Sequence, residues 1–161
     1  MKQYFFRCII FDLSIDYFLG ESLAGIPWEP EPRINEAWQA EHEAFKENSA
    51  QNGSNIHVLF YGDSITRAWG TVGKETFDEL YAPLGTANYG IGGDRTEHVL
   101  YRIYYGECEN IAPKVTVLKI GTNNIGYNTE NDIVAGKLKS YDFLQKKNSV
   151  CLRLGLFAQE F

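Results

Sequence analysis

The chain has few cysteines, no basic stretch and no long apolar run, and each shortage argues against a class of protein. Its three cysteines show no CxxC spacing, so we expect buried free thiols and neither a disulfide framework nor a metal site. The 15 Lys and Arg residues are scattered among 21 Asp and Glu residues, for a net charge of −6, so we expect no nucleic-acid partner. No run approaches the ~20 apolar residues that a spanning helix needs, so we expect no integral membrane segment.

The first 33 residues are predicted to be an N-terminal lead-in to a single domain. They begin like a signal peptide, but Arg7, Asp12 and Asp16 interrupt the apolar stretch, which indicates at most a degraded signal. We therefore expect a cytoplasmic location, with secretion as the alternative. Residues 26–33, IPWEPEPR, carry three of the five prolines and cannot form a helix.

Strand-like and helix-like stretches alternate along residues 34–161. Asn35 is expected to cap the first helix, with Trp38, His42 and Phe45 on one face. We predict strands over 56–61, 86–89, 115–120 and 149–156, helices over 35–48, 95–107 and 129–147, a helical region that follows Ser64 and continues to residue 84, and a loop over 49–55. This alternation predicts a parallel sheet of order 2-1-3-4 with helices on both faces. Ligands of such sheets bind at the carboxyl ends of the strands.

Ser64 lies at one of these strand ends, in the stretch FYGDSITRAWG. Serine is among the best residues for capping a helix, so the cap is one interpretation. The other is a nucleophile, for which Gly62 would allow a tight approach and the helix N-terminus would supply N–H donors. The stretch is not G-x-S-x-G, so the nucleophile elbow of α/β-hydrolases is not indicated.

Two further motifs fall at the next strand ends. The turn GIGGD, residues 90–94, lacks the third glycine of a dinucleotide fingerprint, which would fall at Arg95, so we expect no nucleotide cofactor. This turn is either a plain strand-to-helix connection or a backbone that brings the Gly93 amide to a ligand. In GTNN, residues 121–124, Asn123 is either a turn residue or a side-chain donor to an oxyanion.

The order and spacing of these motifs resemble those of the GDSL/SGNH hydrolases, in particular the catalytic-subunit group of platelet-activating-factor acetylhydrolase Ib. The resemblance runs from Trp38 to Phe157, through HVLFYGDSITRAWG, ANYGIGGDRTEHVLYRI, ECENIAPKVTVLKIGTNNIG and LRLGLF. It implies a flavodoxin-like three-layer α/β sandwich and a serine hydrolase of small acyl esters, such as acetylated phospholipids or sugars, without a cofactor. It also implies that Ser64 is the nucleophile, and that the Ser64 amide, the Gly93 amide and the Asn123 side chain bind the oxyanion. Asp63, and Gly62 before it, would shape the turn.

The family's general base, an Asp-x-x-His near the C-terminus, does not occur in this sequence. The only histidines are His42, His57 and His98. We therefore expect the domain over 34–161 to be C-terminally incomplete and its catalysis to be impaired, because a serine hydroxyl is a weak nucleophile without a base. The alternative is a non-catalytic binding or scaffolding subunit. The resemblance implies a homo- or heterodimer and a β-propeller regulatory partner for either role.

Overall fold

The computed structural model describes residues 25–148, and three strands at its centre form a parallel sheet. The strands are β1 (Val58–Gly62), β2 (Thr86–Gly90) and β3 (Val115–Lys119). Their order is β2-β1-β3, with Val58 in register with both Thr86 and Val115. The predicted parallel α/β sheet is confirmed for these three strands. The strand predicted at 149–156 lies outside the described residues.

Helices cover both faces of the sheet because successive residues of the central strand point in opposite directions. The helices are α1 (Glu36–Asn52), α2 (Ser64–Arg67), α3 (Lys74–Leu80), α4 (Thr96–Tyr104) and α5 (Glu130–Asn148). Leu59 and Tyr61 of β1 belong to a core that includes Val99 of α4 and Leu144 of α5. Phe60 points the other way and packs edge-on against the rings of Trp69, Phe77 and Tyr81. The result is the predicted three-layer arrangement.

The first helix begins where the sequence predicts and ends later. The side chain of Asn35 accepts a hydrogen bond from the Trp38 amide at 3.0 Å, which confirms the predicted cap. The predicted loop at 49–55 is wrong, because α1 continues to Asn52 and a 3-10 turn follows. Burial explains this extension: the Ser49 hydroxyl bonds to the Glu107 carbonyl and the Tyr89 hydroxyl, so tertiary contacts stabilise another helical turn.

The helical region predicted after Ser64 consists of several short segments. Helices α2 and α3 are separated by a 3-10 turn, and a second 3-10 turn follows α3. Gly70, Gly73 and Pro83 explain the breaks, because glycine and proline disfavour a continuous helix.

The N-terminal residues that the structure describes lie against the domain. Residues 25–35 contain no helix or strand, and the Glu31 amide donates to the Glu97 carbonyl of α4 at 3.1 Å. The domain boundary at residue 33 stays a prediction. Between residues 25 and 148, no helix combines the length and the apolar character needed to span a bilayer.

Candidate active site

The three sequence motifs meet at the carboxyl edge of the sheet. Ser64 follows β1, Gly93 follows β2 and Asn123 follows β3. A methyl group added to Gly92 would lie 4.0 Å from the Ser64 Cβ, so the glycine turn borders the serine. The Asn123 side-chain amide donates to the Asp94 carbonyl at 2.8 Å, so the third motif contacts the same turn. The structure thus brings the predicted site residues together, and their catalytic roles stay predictions.

Ser64 is not the cap of the helix that it begins. The residue before it caps α2, because the Asp63 Oδ1 accepts the Ile65 amide hydrogen at 2.9 Å. Ser64 is the first helical residue, and it is exposed. The capping interpretation of Ser64 is therefore wrong, and its hydroxyl group is available for another role.

Gly62, the last residue of β1, and Asp63, which follows it, shape the turn before Ser64. Asp63 is fully buried, and its Oδ2 has no hydrogen-bond partner among residues 25–148. Burial raises the pKa of Asp63, against the opposing effects of the Ile65 amide and the positive charge of Lys119. A side chain at Gly62 would overlap the Lys119 carbonyl oxygen, so glycine permits the close approach of β1 and β3 here.

The glycine turn is held from two sides. Gly93 has a φ of 79°, a left-handed conformation that glycine adopts readily. Arg33 Nη1 donates to the Gly92 carbonyl at 2.8 Å. Asp94, which is fully buried, accepts hydrogen bonds from Trp38 Nε1 and Arg102 Nη1, each at 2.7 Å. These contacts hold the peptide that carries the Gly93 amide.

Arg102 is the centre of a buried network that sequence reasoning missed. Its guanidinium donates to both Glu107 carboxylate oxygens at 2.9 Å and to the Tyr89 carbonyl, at the end of β2, at 2.6 Å. Burial alone would raise the pKa of Glu107, but Arg102 and hydrogen bonds from His42 and Tyr61 outweigh it and lower the pKa. One signal was present in the sequence: Arg102 lies beside Val99 and Ile103 on the apolar face of α4, where a charged residue needs a partner.

No histidine forms a hydrogen bond with Ser64 within residues 25–148. His42 Nδ1 lies 2.7 Å from Glu107 Oε1 in the buried network. His57 precedes β1 and so lies at the opposite end of that strand from Ser64. His98 is buried at the start of α4, where its Nδ1 accepts the Arg95 amide hydrogen at 3.0 Å. Burial, with the charges of nearby arginines, lowers the pKa of His98 to about 3, so its ring is neutral.

Comparisons with known proteins agree with this geometry. The model of the GDSL-like Lipase/Acylhydrolase family matches residues 60–148. The alpha1 subunit of human platelet-activating factor acetylhydrolase IB is 40% identical over 103 residues, which are 64% of this chain and 42% of that protein. The alpha2 subunit from Gallus gallus is 40% identical over 102 residues, 63% of this chain and 42% of that protein. The chain thus spans less than half the length of these curated relatives.

Solved structures show the same fold at lower identity. A putative acylhydrolase from Bacteroides fragilis superimposes with a TM-score of 0.56 at 23% identity, over 70% of this chain and 55% of the other. A GDSL-like lipase from Bacteroides thetaiotaomicron gives 0.56 at 24% identity, over 71% and 57% of the two chains. The predicted resemblance is confirmed by the family match over residues 60–148. This chain belongs to the GDSL-like lipase/acylhydrolase family.

Proposed function

We propose that the site at the carboxyl edge of the sheet binds small acyl esters, with Ser64 as the nucleophile. The observation that carries the proposal is the position of Ser64: it is exposed, Asp63 has taken the capping role, and the glycine turn lies beside it. In the reaction, the Ser64 oxygen attacks the ester carbonyl carbon and the alcohol leaves. Water then cleaves the acyl-serine, which releases the acid and restores the hydroxyl group.

Three N–H donors are proposed to bind the oxyanion that forms in both steps. They are the Ser64 amide, the Gly93 amide and the Asn123 side chain. The Asn123 side chain donates one hydrogen bond to the Asp94 carbonyl, and its second N–H can reach a ligand. Removing one such donor typically costs roughly 3–4 kcal/mol of transition-state stabilisation.

We propose acetyl esters, of a phospholipid or a sugar, as the substrate class. Relatives that are 40% identical to this chain are named platelet-activating factor acetylhydrolases, which supports an acetyl group. The aligned part is only 42% of those proteins. We therefore propose the leaving alcohol only as far as a phospholipid or a sugar.

Turnover by this chain is proposed to be slow. Ser64 needs a proton acceptor, and His42, His57 and His98 are bonded elsewhere or distant. Loss of a triad member costs orders of magnitude in rate, while oxyanion binding leaves some activity. The same observation favours a second candidate function, a non-catalytic subunit that binds a homologous subunit or a β-propeller partner.

Hydrolysis of p-nitrophenyl acetate and labelling by a fluorophosphonate test the proposal. We expect turnover slightly above buffer in the 161-residue chain, with little change in Ser64→Ala. The fluorophosphonate should label Ser64 slowly, and Ser64→Ala should lose this label. The matched control is Ser54→Ala, which changes another exposed serine and should keep the label.

Two results would contradict parts of this proposal. Fast hydrolysis that Ser64→Ala abolishes and Ser54→Ala preserves would overturn the impaired catalysis and reveal another base. Equal labelling of wild type and Ser64→Ala would overturn the role of Ser64 and leave the binding function as the better explanation.

A further inference from the structure

The peptide group between Gly92 and Gly93 is held by a residue that lies outside the family match. Arg33 is the last residue of the predicted lead-in, and its Nη1 donates to the Gly92 carbonyl at 2.8 Å. A methyl group added to Gly93 would lie 3.2 Å from the same nitrogen, so the guanidinium packs against the turn. The family model matches residues 60–148, so this contact joins the candidate site to an earlier part of the chain.

The bonded carbonyl sets the direction of the N–H group across the peptide. Among residues 25–148 no peptide bond is cis. In a planar trans peptide the carbonyl oxygen and the amide hydrogen point in opposite directions. Since the guanidinium of Arg33 holds the Gly92 oxygen, it also fixes where the Gly93 N–H points, which is away from Arg33.

The Gly93 N–H is free to bind a ligand. Gly93 is exposed, and its amide donates no hydrogen bond to another residue between 25 and 148. The turn borders the proposed nucleophile, because a methyl group at Gly92 would lie 4.0 Å from the Ser64 Cβ. Glycine has more backbone freedom than any other residue, so an exposed glycine amide needs an external restraint to keep one orientation. Arg33 supplies that restraint.

Arg33 is itself anchored on two sides. Its carbonyl accepts a hydrogen bond from Gln39 Nε2 at 2.7 Å, and the Glu31 amide donates to the Glu97 carbonyl of α4 at 3.1 Å. The guanidinium lies 3.7 Å from the buried carboxylate of Asp94. These contacts fix both the main chain and the side chain of Arg33, so the restraint that it places on the turn has a firm support.

We propose that Arg33 is a positioning residue, which orients and polarises the Gly93 N–H as an oxyanion donor. A guanidinium bond to a carbonyl is charge-assisted, and hydrogen bonds in series polarise one another, so the N–H on the far side of the peptide becomes a stronger donor. The assignment of this donor to the oxyanion of an ester rests on the proposed function. The restraint on the peptide does not depend on it.

The rate of fluorophosphonate labelling tests the proposal. In this reaction the Ser64 oxygen bonds to phosphorus, fluoride leaves and the hydroxyl proton passes to water, while charge on the phosphoryl oxygen requires the oxyanion donors. Arg33→Gln should lower the maximal labelling rate about tenfold, the loss expected for a hydrogen bond that involves a charged group. The reagent concentration that gives half the maximal rate should stay the same. Arg33→Lys keeps one charged donor and should recover most of the rate.

The matched control is Arg67→Gln. The Arg67 Nη1 would lie 3.7 Å from a methyl group at Gly92, but it bonds to Glu41 and not to the turn. Its loss removes a nearby positive charge without removing the bond to the Gly92 carbonyl. The maximal labelling rate should therefore change less than about twofold.

Nuclear magnetic resonance measures the orientation of the donor without any reagent. The order parameter of the Gly93 N–H should be near 0.85, the value of rigid backbone, in the 161-residue chain and should fall toward about 0.6 in Arg33→Gln. Its amide nitrogen should also shift upfield, because the peptide is less polarised. Arg33→Lys should reverse both changes, and Arg67→Gln should cause neither.

Two results would overturn the proposal. One is a maximal labelling rate of Arg33→Gln equal to that of wild type, or a loss that Arg67→Gln matches. The other is an unchanged order parameter of Gly93 in Arg33→Gln. If Ser64 is not labelled in any variant, the proposed function fails, and the Gly93 measurement alone then decides whether Arg33 orients the peptide.

Discussion

Replacing Arg102 with methionine should destabilise the fold severely. The guanidinium is fully buried between the strand ends and α4, and it packs over the Tyr61 ring at 4.6 Å. Methionine can keep much of this packing because it is long and flexible. It supplies no donors, however, so the Glu107 and Asp94 carboxylates would lose three hydrogen bonds of 2.7–2.9 Å.

The magnitude follows from the charges left behind. Breaking a buried ion pair by removing one partner costs roughly 3–5 kcal/mol, since the other charge stays buried without compensation. A whole domain is stable by only about 5–15 kcal/mol. With a urea m-value of roughly 2 kcal/mol/M, the unfolding midpoint of Arg102→Met should fall by about 2 M.

Urea unfolding followed by circular dichroism measures this shift. The control is Arg67→Met, which removes an exposed ion pair and should cost at most about 1 kcal/mol. Adding Glu107→Gln to Arg102→Met removes one of the uncompensated charges and should recover part of the lost stability. A shift of the urea midpoint below 0.3 M corresponds to a loss of less than about 0.6 kcal/mol. Such a small shift in Arg102→Met would refute the predicted cost of leaving the two carboxylates buried without a partner.

Two further substitutions test the turn and the first turn of α4. Gly62→Ala should lower the free energy of unfolding by about 1–3 kcal/mol or more, because the added Cβ would overlap the Lys119 carbonyl oxygen. Gly70→Ala is the control, since no atom lies closer than 3.9 Å to the added Cβ, and it should be nearly neutral. Urea unfolding measures both. Since the folded pKa of His98 is about 3 and its unfolded pKa near 6.5, the unfolded state binds the proton more tightly and stability falls with pH below 6.5. Between pH 6.5 and pH 5 this loss should be about 1.5 kcal/mol in wild type and absent in His98→Asn, so the difference in stability between the two proteins should change by this amount. Parallel pH profiles of the two proteins would contradict it.

Much of the fold could be predicted because its signals are local. Apolar or β-branched runs marked β1 and β3, and the short stretch TANYG before the glycine turn marked β2, all to within about two residues. Asn35 marked the start of α1 since a cap bonds to an amide three residues away. The end of α1 could not be predicted, because it depends on Ser49 bonding to Glu107 and Tyr89, which lie far away in the chain.

The candidate site likewise has features that the sequence predicted and one feature that only the structure could decide. Spacing and motif order placed Ser64, Gly93 and Asn123 at strand ends, and parallel pairing put those ends on one edge of the sheet. The choice between Asp63 and Ser64 as the cap needed the structure, because both residue types are good caps and only backbone geometry separates them.

The sequence by itself determined the family, the strand order of the central sheet and the residues that meet at its edge. Tertiary structure alone decided that Arg102 is the centre of a buried hydrogen-bond network and that Arg33 donates to the carbonyl of Gly92 in the glycine turn. The reason is physical: strand and cap preferences act between neighbouring residues, whereas the cost of burying a charge depends on partners that only folding brings together.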